Sequence, residues 1–351
     1  MKLRIWRHEL RLTHRWAIAR GLGPGGQGGT DSYPVVFVEL KNRDGVVGLG
    51  EAAPSARYDE TPDSVTAFLE RVNPYQLSFT DLEGSLRYLD GVGARNYCAK
   101  GAVNLALLDG AARLAGAPLH RFIGLDFSEG RHLTSFSIGI AEPAKIRQKV
   151  AEAAGFAVLK LKLGGPQDEA NLEALRQAAP ERRVRVDANE AWKSREEALA
   201  KIEWLARDGN IEFVEQPMPA SATPEDQAWL KARSPLPLVA DESYVYAGDV
   251  VRCANGFHGV NVKLVKCGGV TSGLKALRAA REAGLKTMLG CMIESSVLIS
   301  AAAHLAELTD FLDLDGNLLI DNDPFRGVGC RDGVLSFADA VERTGLCVTA
   351  R

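Results

Sequence analysis

Hydrophobic and polar positions along the chain follow two different patterns. From about residue 126 onward, short apolar runs alternate with amphipathic stretches. The apolar runs fall at 134–140, 158–163, 183–188, 211–216, 236–241, 259–264, 286–292 and 311–314, and the period-3.6 stretches between them at 142–154, 167–179, 194–207, 224–233 and 270–283. Strands that alternate with helices imply parallel pairing through helical crossovers. Eight such strands in this length predict a closed β/α barrel. No helical pattern follows the eighth strand; Asp321-Asn322-Asp323-Pro324-Phe325 instead leads into a short tail. An open doubly wound sheet would want a glycine-rich phosphate loop after an early strand, and the barrel segment has none.

The first 125 residues read differently. Strands are predicted over 1–13, through Leu3, Ile5 and Trp6, and over 34–50, from the run Val35-Val36-Phe37-Val38-Glu39-Leu40. Helices are predicted over 61–72, with Thr61 and Pro62 as cap and first turn, and over 95–115. Gly21 to Gly29 match G-x-G-x-x-G by spacing, but a strand follows where a dinucleotide site needs a helix, so this segment reads as a hairpin loop. The expected organisation is an α+β capping unit over 1–125, a barrel over 126–320 and a tail over 321–351, with 15–31 as a lid.

Composition narrows the function classes. Of 351 residues, 46% are hydrophobic and 25% charged, which is enough for a sizeable core. Lys and Arg total 42 against 45 Asp and Glu, so no basic excess is available for nucleic acid or an anionic membrane surface. The six cysteines form no C-x-x-C pair, no stretch approaches the roughly 18 apolar residues of a membrane helix, and Met1-Lys2-Leu3-Arg4 does not open a signal peptide. A reduced, cytoplasmic location is expected.

The chemistry is concentrated where the strands end. In Lys160-Leu161-Lys162 the two lysines share one strand face, and the leucines at 159, 161 and 163 share the other. If the leucines meet the helices, the lysines point into the barrel and require anionic partners. The following strands supply carboxylates at matching places: Asp187, Glu215 and Asp241, 28 and 26 residues apart. Singly, each acid reads as a helix cap. Three in register at the C-terminal mouth repel one another unless a cation lies among them, and all-oxygen donors favour Mg²⁺. The sixth strand carries Lys263 and Lys266, which parity sends opposite ways; Lys263 sits at the level of the acids and is the expected inward residue. Lys162 and Lys263 then oppose each other across a cation, an arrangement suited to removing a proton α to a carboxylate and returning it from the other side.

K-x-K, D-A-N, E-Q-P, D-E-S and N-V-K-L-x-K-x-G-G, in this order, resemble the enolase superfamily, and more narrowly its muconate lactonizing subgroup. The resemblance spans nearly the whole chain, including Gly50-Glu51-Ala52-Ala53-Pro54. It implies an α/β fold, a modified TIM barrel of (β/α)7β form with an α+β capping domain. It assigns Asp187, Glu215 and Asp241 to Mg²⁺, makes Lys162 and Lys263 the acid/base pair and puts Lys160 near the substrate carboxylate.

Within the subgroup, Asp321-Asn322-Asp323 resembles the D-x-D of dipeptide epimerases, where two acids grip an α-ammonium. Its other reading is an Asx-turn before Pro324. Ser137 and Cys291 match positions lining the dipeptide pocket. Residues 21–31 hold no Arg or Lys to pair a glutamyl side chain, and Arg20 is the nearest candidate. The expected activity is therefore Mg²⁺-dependent epimerisation of the second residue of a dipeptide, with the dipeptide as the only expected partner apart from a second copy of the chain, since many superfamily members are oligomers. A cycloisomerase or an o-succinylbenzoate synthase would use the same metal and lysines without the clamp. A metal-free Schiff-base lyase would use Lys263 as nucleophile and leave the three acids without a task.

Overall fold

The computed structural model describes residues 1–23 and 28–351. Three antiparallel strands, β1 (Lys2–Trp16), β2 (Thr30–Lys41) and β3 (Val47–Ala52), open the chain. The run expected as a single strand over 34–50 is two, because Asn42 turns the chain between them, its Oδ1 accepting from Val46 N. Helices α1 (Pro62–Leu69), α2 (Leu82–Val92), α3 (Tyr97–Leu114) and α4 (Leu119–Phe122) pack behind this sheet. Thr61 caps α1 through a reciprocal bond pair with Ser64.

Apart from Lys100, every residue of helix α3 from Cys98 to Ala112 is buried, and the small residues on both surfaces allow this. A side chain at Gly48 or Gly50 on β3 would collide with the carbonyls of Ala106 and Ala102. Asp109, fully buried on α3, accepts from Leu49 N at 2.9 Å, Leu346 N at 2.7 Å and Arg113 Nε at 3.0 Å. One carboxylate thus ties β3 and the C-terminal tail to α3.

Glu60 accepts from Cys98 N at the start of α3, and burial raises its pKa to about 7. Between pH 4.5 and 7 the unfolded chain then releases a proton that the folded chain keeps, so this group's contribution to stability falls as pH rises through that window. Unfolding by urea at pH 5, 6 and 7 should show Glu60→Gln losing less stability than the wild type, by up to about 1.4 kcal/mol per pH unit. Equal slopes would contradict this.

The barrel strands are β4 (Phe136–Ile138), β5 (Val158–Lys162), β6 (Arg183–Asp187), β7 (Ile211–Glu215), β8 (Leu238–Ala240), β9 (Gly259–Lys263), β10 (Lys286–Gly290) and β11 (Phe311–Asp313), paired in chain order and all parallel. A parallel bridge between Thr134 and Leu312 joins the first strand to the last. Between them run α5 (Pro143–Glu152), α6 (Asp168–Ala178), α7 (Arg195–Ala206), α8 (Pro224–Lys231), α9 (Val250–Gly256), a helical turn α10 (Leu264–Cys267), α11 (Val270–Glu282) and α12 (Ser296–Ala303). Among the described residues only a 3-10 turn, Gly316–Leu318, and no α-helix follows β11, so the fold is a (β/α)7β barrel beside an α+β unit. The eight expected strands are all present. They end a residue or two early, so that Lys162, Asp187, Glu215, Lys263 and Asp313 are the last residues of their strands.

The segment expected as a lid is the connection between β1 and β2. Trp16 pairs with Thr30 and Leu22 with Gly28, and Ile140 N donates to Ala17 O, which fastens its base to the barrel. Residues 24–27 of the expected lid lie outside the described residues. The tail passes along β1, with Thr13 N donating to Leu319 O and Asp321 N to Arg11 O. Among the described residues, no helix is long and apolar enough to cross a membrane.

Candidate active site

Alternation along β5 turns both lysines inward, as the leucine face requires, and all five residues of the strand are buried. The C-terminal ends of β6, β7 and β8 bring Asp187, Glu215 and Asp241 together. None is more than 1% exposed, and one oxygen from each lies within 4.8 Å of the others. Lys162 Nζ is 2.6 Å from Asp187 Oδ2. On the opposite side of the ring, four strands away, Lys263 Nζ is 2.9 Å from Asp241 Oδ2. Both lysines line one cavity of about 330 Å³, roofed by Trp16, Ile18 and Arg20 of the segment expected as a lid.

The charges interlock. Burial opposes ionisation of Asp187, but Lys162 and Lys160 hold its pKa down to about 2. Burial likewise opposes the charge on Asp241, and Lys263 and Lys266 outweigh it. Glu215 has less compensation: burial and the neighbouring Asp187 raise it to about 7. The Lys160 ammonium stands 2.7 Å from Glu215 Oε2 but off the hydrogen-bonding direction, so this buried oxygen has no donor. Three converging oxygen donors, one of them without a hydrogen bond, fit a hard divalent cation.

Several residues outside the expected set support these. Asn261 Nδ2 donates to Glu215 Oε1 at 2.8 Å. The Gln216 amide accepts from Asp241 N and Ser243 N, and Gln216 itself sits at a strained φ of 37°. Asn261 could have been read from the sequence, since it lies two residues before Lys263 on the same face. Lys266 is also at the site, although parity sent it away. The strand ends at Lys263 and α10 curls back, so Lys266 Nζ reaches Asp241 Oδ1 at 2.6 Å from behind. Lys263 lines the cavity and Lys266 does not.

Lys160 is 1% exposed; its ammonium lies 2.7 Å from Asp313 Oδ2 and 3.3 Å from Asp187 Oδ2.

Ser137 and Cys291 both line the cavity, but the acids beside them are not Asp321 and Asp323. Asp321 is at the surface, paired with Arg11 Nε at 2.7 Å. Asp323 caps α12, accepting from Ser296 N at 2.9 Å and Ser296 Oγ at 2.6 Å. Their carboxylates are committed there because the loop after β11 has already left the barrel mouth. The acids that do line the cavity are Asp313 and Asp315, the D-L-D that ends β11. Ser137 N donates to Asp315 Oδ2 at 2.5 Å, and Ser137 Oγ lies 3.3 Å from Asp313 Oδ1. Cys291 Sγ lies 3.2 Å from Asp313 O. Burial, reinforced by Asp313, raises Asp315 to about 7. Two acids one residue apart at a strand end were readable from the sequence.

Arg20 reaches the cavity wall, but its guanidinium is held by Glu242 and, at 3.0 Å, by Glu190 Oε2. Arg57 pairs with Glu190 as well, at 2.7 Å through two nitrogens.

Residues 27–124 match the mandelate racemase/muconate lactonizing enzyme N-terminal domain, and residues 144–328 the enolase C-terminal domain-like family. The chain is 54% identical to the L-Ala-D/L-amino acid epimerase of Pedosphaera parvula over 351 residues, all of both chains. It is 40% identical over 341 residues to the L-Ala-D/L-Glu epimerase of Bacteroides thetaiotaomicron, covering 97% of this chain and 86% of that one. A dipeptide epimerase from Enterococcus faecalis, solved with Mg and L-Leu-L-Tyr, superposes with a TM-score of 0.85 at 28% identity, covering 99% of this chain and 98% of that one. The chain belongs to the mandelate racemase/muconate lactonizing enzyme family of the enolase superfamily.

Proposed function

We propose that this protein is an isomerase, a Mg²⁺-dependent dipeptide epimerase that inverts the α-carbon of the second residue through two lysines. The observation that carries the reading is one cavity lined by Lys162, Lys263, Asp313 and Asp315, together with three converging buried carboxylates, two of which these lysines bond, Lys162 to Asp187 and Lys263 to Asp241. Asp187, Glu215 and Asp241 would hold the cation, which supplies positive charge beside the substrate carboxylate.

One lysine takes the α-proton, leaving an enediolate, and the other delivers a proton from the opposite face. Lys160, itself buried, adds positive potential where negative charge develops. Asp315, raised by burial and by Asp313, lacks a cation of its own; the substrate's α-ammonium provides one, with Ser137 fixing the carboxylate's orientation. The names of the relatives point the same way. A cycloisomerase or o-succinylbenzoate synthase has no use for this second acidic pair.

The test is ¹H NMR of a dipeptide library in D₂O with enzyme and Mg²⁺. The α-proton signal of the second residue should disappear, and EDTA should abolish the loss. A folded, metal-loaded protein that exchanges no dipeptide would overturn the reading.

A further inference from the structure

The structure has five buried lysines: Lys149, Lys160, Lys162, Lys263 and Lys266. Four of them carry a carboxylate within 2.9 Å. Lys149 is the exception. It is 4% exposed, on the inward face of α5 with Ile146 and Val150, and among the described residues its ammonium has no hydrogen bond and no ion pair. The nearest acid, Glu152, already accepts from His14 at 2.6 Å and Gln148 at 2.8 Å. Burial, together with Lys145, lowers Lys149 to about 8, so Glu152 does not compensate the charge. An ammonium without an ion pair of its own on a largely buried side chain favours an anion beside it.

The position of Lys149 suggests which anion. It lies in a side cleft of about 60 Å³ whose walls include Leu12, Phe136 and Leu318, and also the paired side chains of His14 and Glu152. That cleft borders the main cavity, and Trp16, Ser137 and Leu319 line both. Ser137 is the residue that touches Asp313 and Asp315, where the proposed function seats the α-ammonium. The side chain of the dipeptide's first residue leaves from the carbon bearing that ammonium. It therefore starts beside Ser137, at the opening of the cleft.

We propose that this cleft is the subsite for the side chain of the first residue, and that Lys149 selects an acidic one, glutamate or aspartate. The inference rests on the dipeptide reading above and specifies its substrate class. The apolar walls accommodate the methylenes, and the ammonium meets the carboxylate through a charge-assisted bond. Lys149 also borders an outer cleft with Arg15 and Lys145, from which a free anion could neutralise it instead.

The experiment compares L-Glu-L-Xaa with the isosteric L-Gln-L-Xaa and with L-Ala-L-Xaa, by α-proton exchange on the Mg²⁺-loaded wild-type enzyme. Glu should exceed Gln in kcat/KM by about 10- to 100-fold, the usual range for a hydrogen bond to a buried charge. In Lys149→Met the Glu to Gln ratio should fall to about 1. A wild-type ratio near 1 or below, while L-Ala-L-Xaa exchanges, overturns the inference and leaves the epimerase reading standing; it is also the result expected if a free anion occupies the outer cleft. Exchange of no dipeptide at all overturns both. A ratio that survives in Lys149→Met assigns the preference to another residue and overturns the role of Lys149. The wild-type comparison needs no variant, so a variant that fails to fold still leaves a decisive result.

Discussion

Replacing Lys162 by methionine is expected to lower the epimerisation rate by about 10²- to 10⁴-fold, the usual contribution of a positioned acid or base. Exchange of the α-proton with solvent should survive for one stereoisomer of the substrate. The two lysines stand on β5 and β9, four strands apart in a ring of eight, and they address opposite faces of whatever lies between them. With Lys162 gone, Lys263 still meets the α-proton of one isomer. It removes that proton and returns deuterium to the same face, so label enters without inversion. Lys263→Met should give the mirror result, with exchange confined to the other isomer. NMR of each pure diastereomer in D₂O reads this directly. If both variants exchange both isomers equally, the two-base assignment fails. If either variant epimerises at the wild-type rate, that lysine is not in the path.

The second large effect separates two D-x-D sequences. Asp315→Asn should reduce kcat/KM for a dipeptide by about 10²-fold or more, mostly through KM, because a desolvated carboxylate that pairs a charged group is worth several kcal/mol. The wild-type enzyme should discriminate strongly against an N-acetylated dipeptide, which lacks the ammonium, and Asp315→Asn should lose most of that discrimination. Asp323→Asn should behave differently. Its carboxylate caps α12 through Ser296, so the variant should lose about 1 kcal/mol of stability with KM unmoved. If Asp323→Asn raised KM and Asp315→Asn did not, the clamp would belong to the loop after all.

The three acids were legible because each closes an apolar strand one β/α unit after the last, a regularity that a helix cap does not repeat in register. Lys162 and Lys263 were legible for a related reason: a charged residue on a strand with two buried faces must have a partner. The bond from Lys266 to Asp241 is not legible in the sequence, because parity holds only while the strand lasts, and α10 begins at Leu264. That Lys160 joins Asp313 to Glu215 follows only from the folded strands, which bring β5, β7 and β11 to one ammonium.

The linear pattern of this chain determined the number of barrel strands, their parallel order and the acids and lysines at their ends, because strand periodicity and the avoidance of unpaired buried charge act locally. It left open which of two neighbouring acidic pairs faces the cavity. Asp313-Leu314-Asp315 and Asp321-Asn322-Asp323 present the same spacing and the same charge, and nothing within either segment tells them apart. Only the closure of the ring decides, when Leu312 bridges to Thr134 and brings the end of β11 against Ser137 while the next turn carries residues 321–323 out toward Arg11 and α12. The same holds for Lys149. In the sequence it is one lysine on an amphipathic helix, and its lack of an ion pair among the described residues becomes evident only when α5 packs against α6 and β4.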